Sequence, residues 1–221
     1  MNNARLDDLK RFYKAVDAMS AAVGGSRTLA DCNARLGRAI PSKGSSDGWF
    51  YLSTILDDFS RYIIAWKLCT TMKAEDVTDT LQMALAASGC DSVRVVHKPR
   101  LLSDNGASYV SADLAEWLDE QGMDHVRGAP RHPQTQGKIE RWHQTLKNRI
   151  LLENYYLPGD LEAHIGRFVE HYNHRRYHES LKNLTPADVY FGRGQKILNM
   201  RERIKRDTIR QRRLQHQMKA A

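Results

Sequence analysis

Two acidic residues stand where regular structure ends: Asp104, after a short apolar run and before Asn105-Gly106, and Glu140, in the first turn of a strongly periodic helix. Thirty-five residues separate them. Ends of strands and helices are places where a rigid scaffold can aim two side chains into one cleft. Carboxylates so placed suit divalent-ion chemistry at phosphate esters. Mg²⁺ takes hard oxygen ligands and keeps waters that phosphate oxygens can replace. A pair of ions about 3.5–4 Å apart stabilises the attacking and leaving oxygens together. Each residue also has a plainer reading. Asp-Asn-Gly after a strand makes a turn, and an acid in a helix's first turn favours the helix dipole.

The elements that must position these groups follow from periodicity. Trp49 to Leu56 and Tyr62 to Leu68 are aromatic and β-branched runs flanking Asp57-Asp58-Phe59-Ser60-Arg61, which predicts a hairpin. Ala74 to Ala87 sets Val77, Leu81, Ala84 and Leu85 on one helical face. Val93 to Val96 and Leu101-Leu102 read as short strands, the second ending at Asp104. Ala112 to Gln121 reads as a short helix stopped by Gly122, and Asp124 to Arg127 as a strand. After a polar loop with two prolines, Ile139, Trp142, His143, Leu146 and Ile150 mark a helix. Another spans about Asp160 to Tyr172, and a last one starts at Pro186 with Thr185 as its cap. Asn3 to Val23 has near-helical spacing and stops at Gly24-Gly25; Ser26 to Gly48 lacks a period and reads as loop. The alternation predicts an α/β fold.

Charge is distributed unevenly. The net charge of +8 lies entirely after residue 192, where ten Lys and Arg face Glu202 and Asp207; the preceding residues sum to zero. A polyanionic partner is indicated. In this tail Ile197, Met200, Ile204, Leu214 and Met218 fall near heptad spacing, as in a basic helix serving DNA or a partner protomer; the interrupted seam suits a partly disordered extension equally. No apolar run is long enough to span a membrane and Cys32, Cys69 and Cys90 form no C-x-x-C, so a cytoplasmic protein with reduced thiols is expected.

Five blocks carry a resemblance. They are Asp57-Asp58-Phe59-Ser60-Arg61, Ser103-Asp104-Asn105-Gly106, His132 through Arg141 (HPQTQGKIER), Tyr172-Asn173 through His178 with Ser180-Leu181, and Thr185-Pro186. In order and spacing, over roughly Gly48 to Gly194, they resemble the retroviral-integrase-like core of insertion-sequence transposases. The resemblance implies an RNase H-like fold, a mixed sheet flanked by helices with a helical C-terminal extension. It also implies DNA strand cleavage and transfer with Mg²⁺ (or Mn²⁺) held by two Asp and one Glu. Asp104 and Glu140 fall on the second Asp and the Glu, as catalytic and metal-binding residues.

The first family Asp, in a Trp-x-x-Asp-x-Thr context, has no match. Counting back from Tyr51 lands near Arg38, so the first strand is expected to be missing or altered and the chemistry impaired. Asp31 and Asp47 lack the surrounding pattern, and Asp57 matches another family position; which of the three could substitute stays open.

For nucleic acid, Glu140, Gln144 and Lys147 share a helix face, and Lys138, Arg141, Arg175 and Arg176 add donors or charge. A solvated face is the alternative for Gln144 and Lys147. The expected partners are the element's terminal repeats, target DNA, and a second copy or a full-length transposase, with no membrane and a nucleoid-associated location. The cluster from His171 to His178 lacks a Cys and a convergent ligand set and is not read as a zinc site. Four segments are expected: an N-terminal helix and irregular segment (1–47), the core (48–157), its helical end (158–192) and a basic helical tail (193–221). A non-catalytic DNA-binding remnant is the alternative function, and a nuclease of RNase H type the third.

Overall fold

The computed structural model describes residues 32–41, 49–91, 98–128, 137–153, 155 and 157–220. The sequence-predicted helix at Asn3 to Val23, the strand at Val93 to Val96 and the loop from Ala129 to Gln136 lie outside the described residues.

The hairpin forms as its residue types demand. Strand β2 (Trp49–Asp57) pairs antiparallel with β3 (Ile63–Cys69), and the turn between them is held by Asp57. Its carboxylate Oδ2 accepts from the Ser60 backbone N–H at 2.7 Å and from the Ser60 hydroxyl, while Arg61 takes the left-handed conformation at φ 65°. The Asp57 N–H donates to the Tyr62 carbonyl at 2.8 Å, which closes the loop.

The reading of Ser26 to Gly48 as loop is corrected by the next strand. Residues Cys32–Pro41 form β1, which pairs antiparallel with β2 from Cys32↔Asp57 to Pro41↔Trp49, with a register irregularity between Arg38 and Ile40. It also pairs in parallel with β4 (Leu101–Ser103), and β4 pairs in parallel with β5 (His125–Arg127). The sheet order is β3-β2-β1-β4-β5. An interior strand receives hydrogen bonds from both sides, so its formation does not depend on the alternating pattern that the sequence lacks here. The first strand is present, and only its residues are unusual.

Helices cover both faces. Helix α1 (Ala74–Ser88) ends at Gly89, whose φ of 72° supplies the left-handed stop, and α2 (Ala112–Glu120) starts under a Ser111 cap, its Oγ accepting from the Leu114 N–H at 3.3 Å. These two helices bury Val77, Leu81, Leu85, Leu114 and Leu118 with Ile55, Ala65 and Leu101 of the sheet. On the other face α3 (Gly137–Ile150) and α4 (Pro158–His174) bury Ile139, Trp142, Leu146, Ile165 and Val169 against Phe50, Leu52, Leu56 and Ile63. Cys69 and Cys90 are buried free thiols, and burial pushes the Cys69 thiol up to about 12.

The end of the chain is helical. Helix α5 (Pro186–Tyr190) has the expected cap: Thr185 Oγ1 accepts from the Asp188 N–H at 3.2 Å, and Asp188 answers the Thr185 N–H at 3.3 Å. Helix α6 (Gly194–Ala220) runs 27 residues. The disordered alternative for this tail is thereby set aside. No helix among the described residues is long and apolar enough to cross a membrane.

Candidate active site at the end of the parallel strands

Asp104 follows directly on β4 and is half-buried. Its Oδ1 accepts from the Gly106 N–H at 2.8 Å, and a Cβ built at Gly106 would stand only 2.9 Å from that same oxygen. The glycine is therefore needed to admit the carboxylate in this pose. Beneath it, fully buried Ser103 lies 2.7 Å from His125 Nε2 and 2.9 Å from the Asp104 carbonyl oxygen. Burial first, and the neighbouring Arg127 second, hold His125 below the usual imidazole range. The exits of β4 and β5 are tied together: Asn105 Nδ2 donates to the Gly128 carbonyl at 2.8 Å, and the Gly128 N–H to the Ser103 carbonyl at 2.9 Å.

Glu140 is exposed in the first turn of α3. The rotation of that helix is fixed by Ile139, Trp142, His143, Leu146 and Ile150, all buried. Gln144 is exposed and Lys147 half-buried, and the Gln144 amide donates to Asn148 Oδ1 at 2.7 Å. Arg141 is exposed. Lys138 is turned toward the hairpin, its Nζ 2.6 Å from Asp58 Oδ2 and 2.7 Å from the Asp58 carbonyl oxygen. Arg176 is half-buried with its guanidinium 5.8 Å from the Tyr172 ring centroid, while Arg175 is exposed.

The missing first acid now has a place. Strand β1 reads CNARLGRAIP and contains no Asp or Glu. Its parallel pairing with β4 runs Cys32↔Leu101 and Asn33↔Leu102, so two residues further along both chains are Arg35 and Asp104. The position level with Asp104 on the central strand thus belongs to an arginine. Asp57 does not fill the gap. It is 7% exposed, committed to its turn, and level with Cys32, three residues or roughly 10 Å back along the strands. Asp31 and Asp47 lie outside the described residues. Among the described residues no group of three or more His, Cys, Asp or Glu is placed to hold a metal ion.

Two contacts went unread in the sequence. Asn173 is 4% exposed, and its side chain mimics a peptide: Oδ1 accepts from the Ile63 N–H at 2.9 Å and Nδ2 donates to the Ile63 carbonyl at 3.0 Å. It continues the buried stripe Ile165, Val169, Asn173, and a polar residue on such a stripe was the available signal. The Lys138–Asp58 pair had no signal, since the two residues are 80 positions apart.

Comparison with known proteins bears on this arrangement. Residues 38–133 match one family model described as an integrase core domain, and residues 121–186 match a second with the same description. The transposase for insertion sequence element IS904 of Lactococcus lactis is 25% identical over 151 residues, covering 67% of this chain and 56% of that protein. Transposase InsF for insertion sequence IS3A of Escherichia coli is 26% identical over 144 residues, covering 64% and 48%. The chain spans about half the length of these curated relatives. Among solved structures, the catalytic core domain of BIV integrase superposes with a TM-score of 0.55 at 17% identity, covering 77% of this chain and 99% of that one.

Proposed function

We propose that this chain, whose residues 38–133 and 121–186 match integrase core domain models, is the RNase H-like core of an insertion-sequence transposase, acting in DNA transposition with impaired chemistry. The observation that carries the impairment is the acid-free strand β1, with Arg35 two residues beyond the pair Asn33↔Leu102. A full site of this family uses divalent ions, Mg²⁺ or Mn²⁺, to cut and join DNA strands. Losing even an outer-shell partner at a metal site costs about 10- to 100-fold, so losing a direct ligand costs more.

What this chain's own residues do is more limited. The Gly106 N–H fixes Asp104, and the buried stripe of α3 fixes the direction of Glu140. Exposed Arg141 and Gln144, half-buried Lys147, and the Arg175-Arg176 pair offer donors and positive charge for DNA phosphates. Lys138 joins them only by giving up Asp58. The partners we propose are the element's terminal repeats, target DNA, and a second copy or a full-length transposase, in the cytoplasm at the nucleoid. A non-catalytic role, occupying DNA beside a complete transposase, is favoured by the same acid-free strand.

The test is a strand-transfer assay of the purified chain on its terminal repeats with Mg²⁺ or Mn²⁺, beside Asp104→Asn. Both proteins should bind the DNA, and neither should yield joined product above background. Product that depends on Asp104 and Glu140 would overturn the impairment.

A further inference from the structure

We infer that α6 is a separate arm that grips duplex DNA through its phosphates, outside the core and without reading sequence. The inference rests on the reading of DNA as the partner, and it places most of the electrostatic binding where the core residues are not.

Among the described residues the helix is anchored at its root. Gly194 is buried so closely that a Cβ there would stand 2.9 Å from Leu184 Cδ1. Arg201 folds back, donating from Nη1 to the Asn183 carbonyl at 2.9 Å with its guanidinium 5.7 Å from the Tyr177 ring centroid. Beyond it nearly every described side chain as far as Lys219 is exposed. Lys205, Arg206, Arg210 and Arg213 line one shallow concavity with Ile209, Leu214 and Gln217, four cations against the single acid Glu202. Arg206, Arg210 and Arg213 follow the i, i+4, i+7 spacing of a single face, about 11 Å long. None of these four cations pairs with a carboxylate among the described residues. The helix carries nine Lys and Arg against Glu202 and Asp207, +7 of the protein's net charge of +8.

Charge selects the occupant. Taken as a heptad seam, Ile197, Met200, Ile204, Leu214 and Met218 are interrupted by Asp207 and Gln211. In a parallel pair of such helices Lys196 would face Arg201, and no flanking position supplies an acid to meet Arg203 or Arg210. A second copy is therefore repelled where a polyanion is attracted. Each phosphate neutralised releases counterions, so the arm's contribution appears in the salt dependence of binding.

The experiment compares the full chain with the triple variant Arg206→Gln, Arg210→Gln, Arg213→Gln on a 30-base-pair duplex of arbitrary sequence across a salt series. Glutamine keeps helix propensity, and circular dichroism verifies the fold. The variant is expected to bind roughly tenfold or more weakly at 0.1 M salt, with a slope of log K against log salt reduced by about 2.7, roughly 0.9 for each phosphate. If the wild-type chain binds and the variant's slope is unchanged, the arm is refuted and the DNA reading stands. If the wild-type chain does not bind, both fail. If the variant instead loses a dimer in sedimentation analysis at unchanged slope, α6 is a self-association surface and the inference is overturned.

Discussion

Lys138, the second residue of α3, reaches back to Asp58 in the β2–β3 turn, its Nζ 2.6 Å from Oδ2. The contact ties the start of the helix carrying Glu140 to the hairpin, and it pairs the Lys138 ammonium with a carboxylate.

The pair is partly exposed, 40% at Lys138 and 27% at Asp58, so its net contribution to stability is under about 1 kcal/mol. Lys138→Ala should change duplex affinity little. Asp58→Asn should release the ammonium and steepen the salt dependence of DNA binding by up to about one phosphate's worth. Fluorescence anisotropy across a salt series reads both.

Asn173 closes the start of β3 with two hydrogen bonds to Ile63 in a buried setting. Asn173→Ala removes both and strands a backbone donor and acceptor, at a cost of about 2–4 kcal/mol. Asn173→Asp should also destabilise, because it loses the donor and sets a carboxylate against the Ile63 carbonyl. Urea unfolding followed by Trp fluorescence gives the values.

His178 packs edge-on against Tyr172, ring centroids 5.0 Å apart, and its Nε2 is buried without a hydrogen-bond partner among the described residues. Burial first, then the Arg176 and Arg61 guanidiniums, push its pKa down to about 4. The folded state thus disfavours the charged ring, while the unfolded chain protonates near pH 6.5. The stability this contributes is complete above pH 6.5 and is lost as pH falls toward 4. His178→Phe should flatten the fall in melting temperature between those pH values.

The sequence exposed much of the scaffold because most elements carry their own signals. The α3 stripe, the hairpin's aromatic and β-branched runs, and the Thr185-Pro186 cap each reappear in the structure. Strand β1 did not announce itself. With Arg35, Gly37 and Arg38 among its residues it shows no apolar alternation, and its place comes from β2 and β4 on either side. Asp104 could be picked out by its Asn-Gly sequel, which the structure explains through the Gly106 contact. The uses of Lys138 and Asn173 depend on partners 80 and 110 residues away, beyond the reach of any local pattern.

The strand position level with Asp104 is Arg35, where a divalent-ion site of this kind requires a carboxylate. Mn²⁺ affinity, measured by titration calorimetry on the wild-type chain, on Arg35→Asp and on Arg35→Asp with Asp104→Asn, tests this requirement most directly. The wild-type chain should bind weakly, Arg35→Asp at least about tenfold more tightly, and the double variant should lose that gain. Tight binding of two ions by the wild-type chain, or an Arg35→Asp variant no better than wild type, would contradict that requirement.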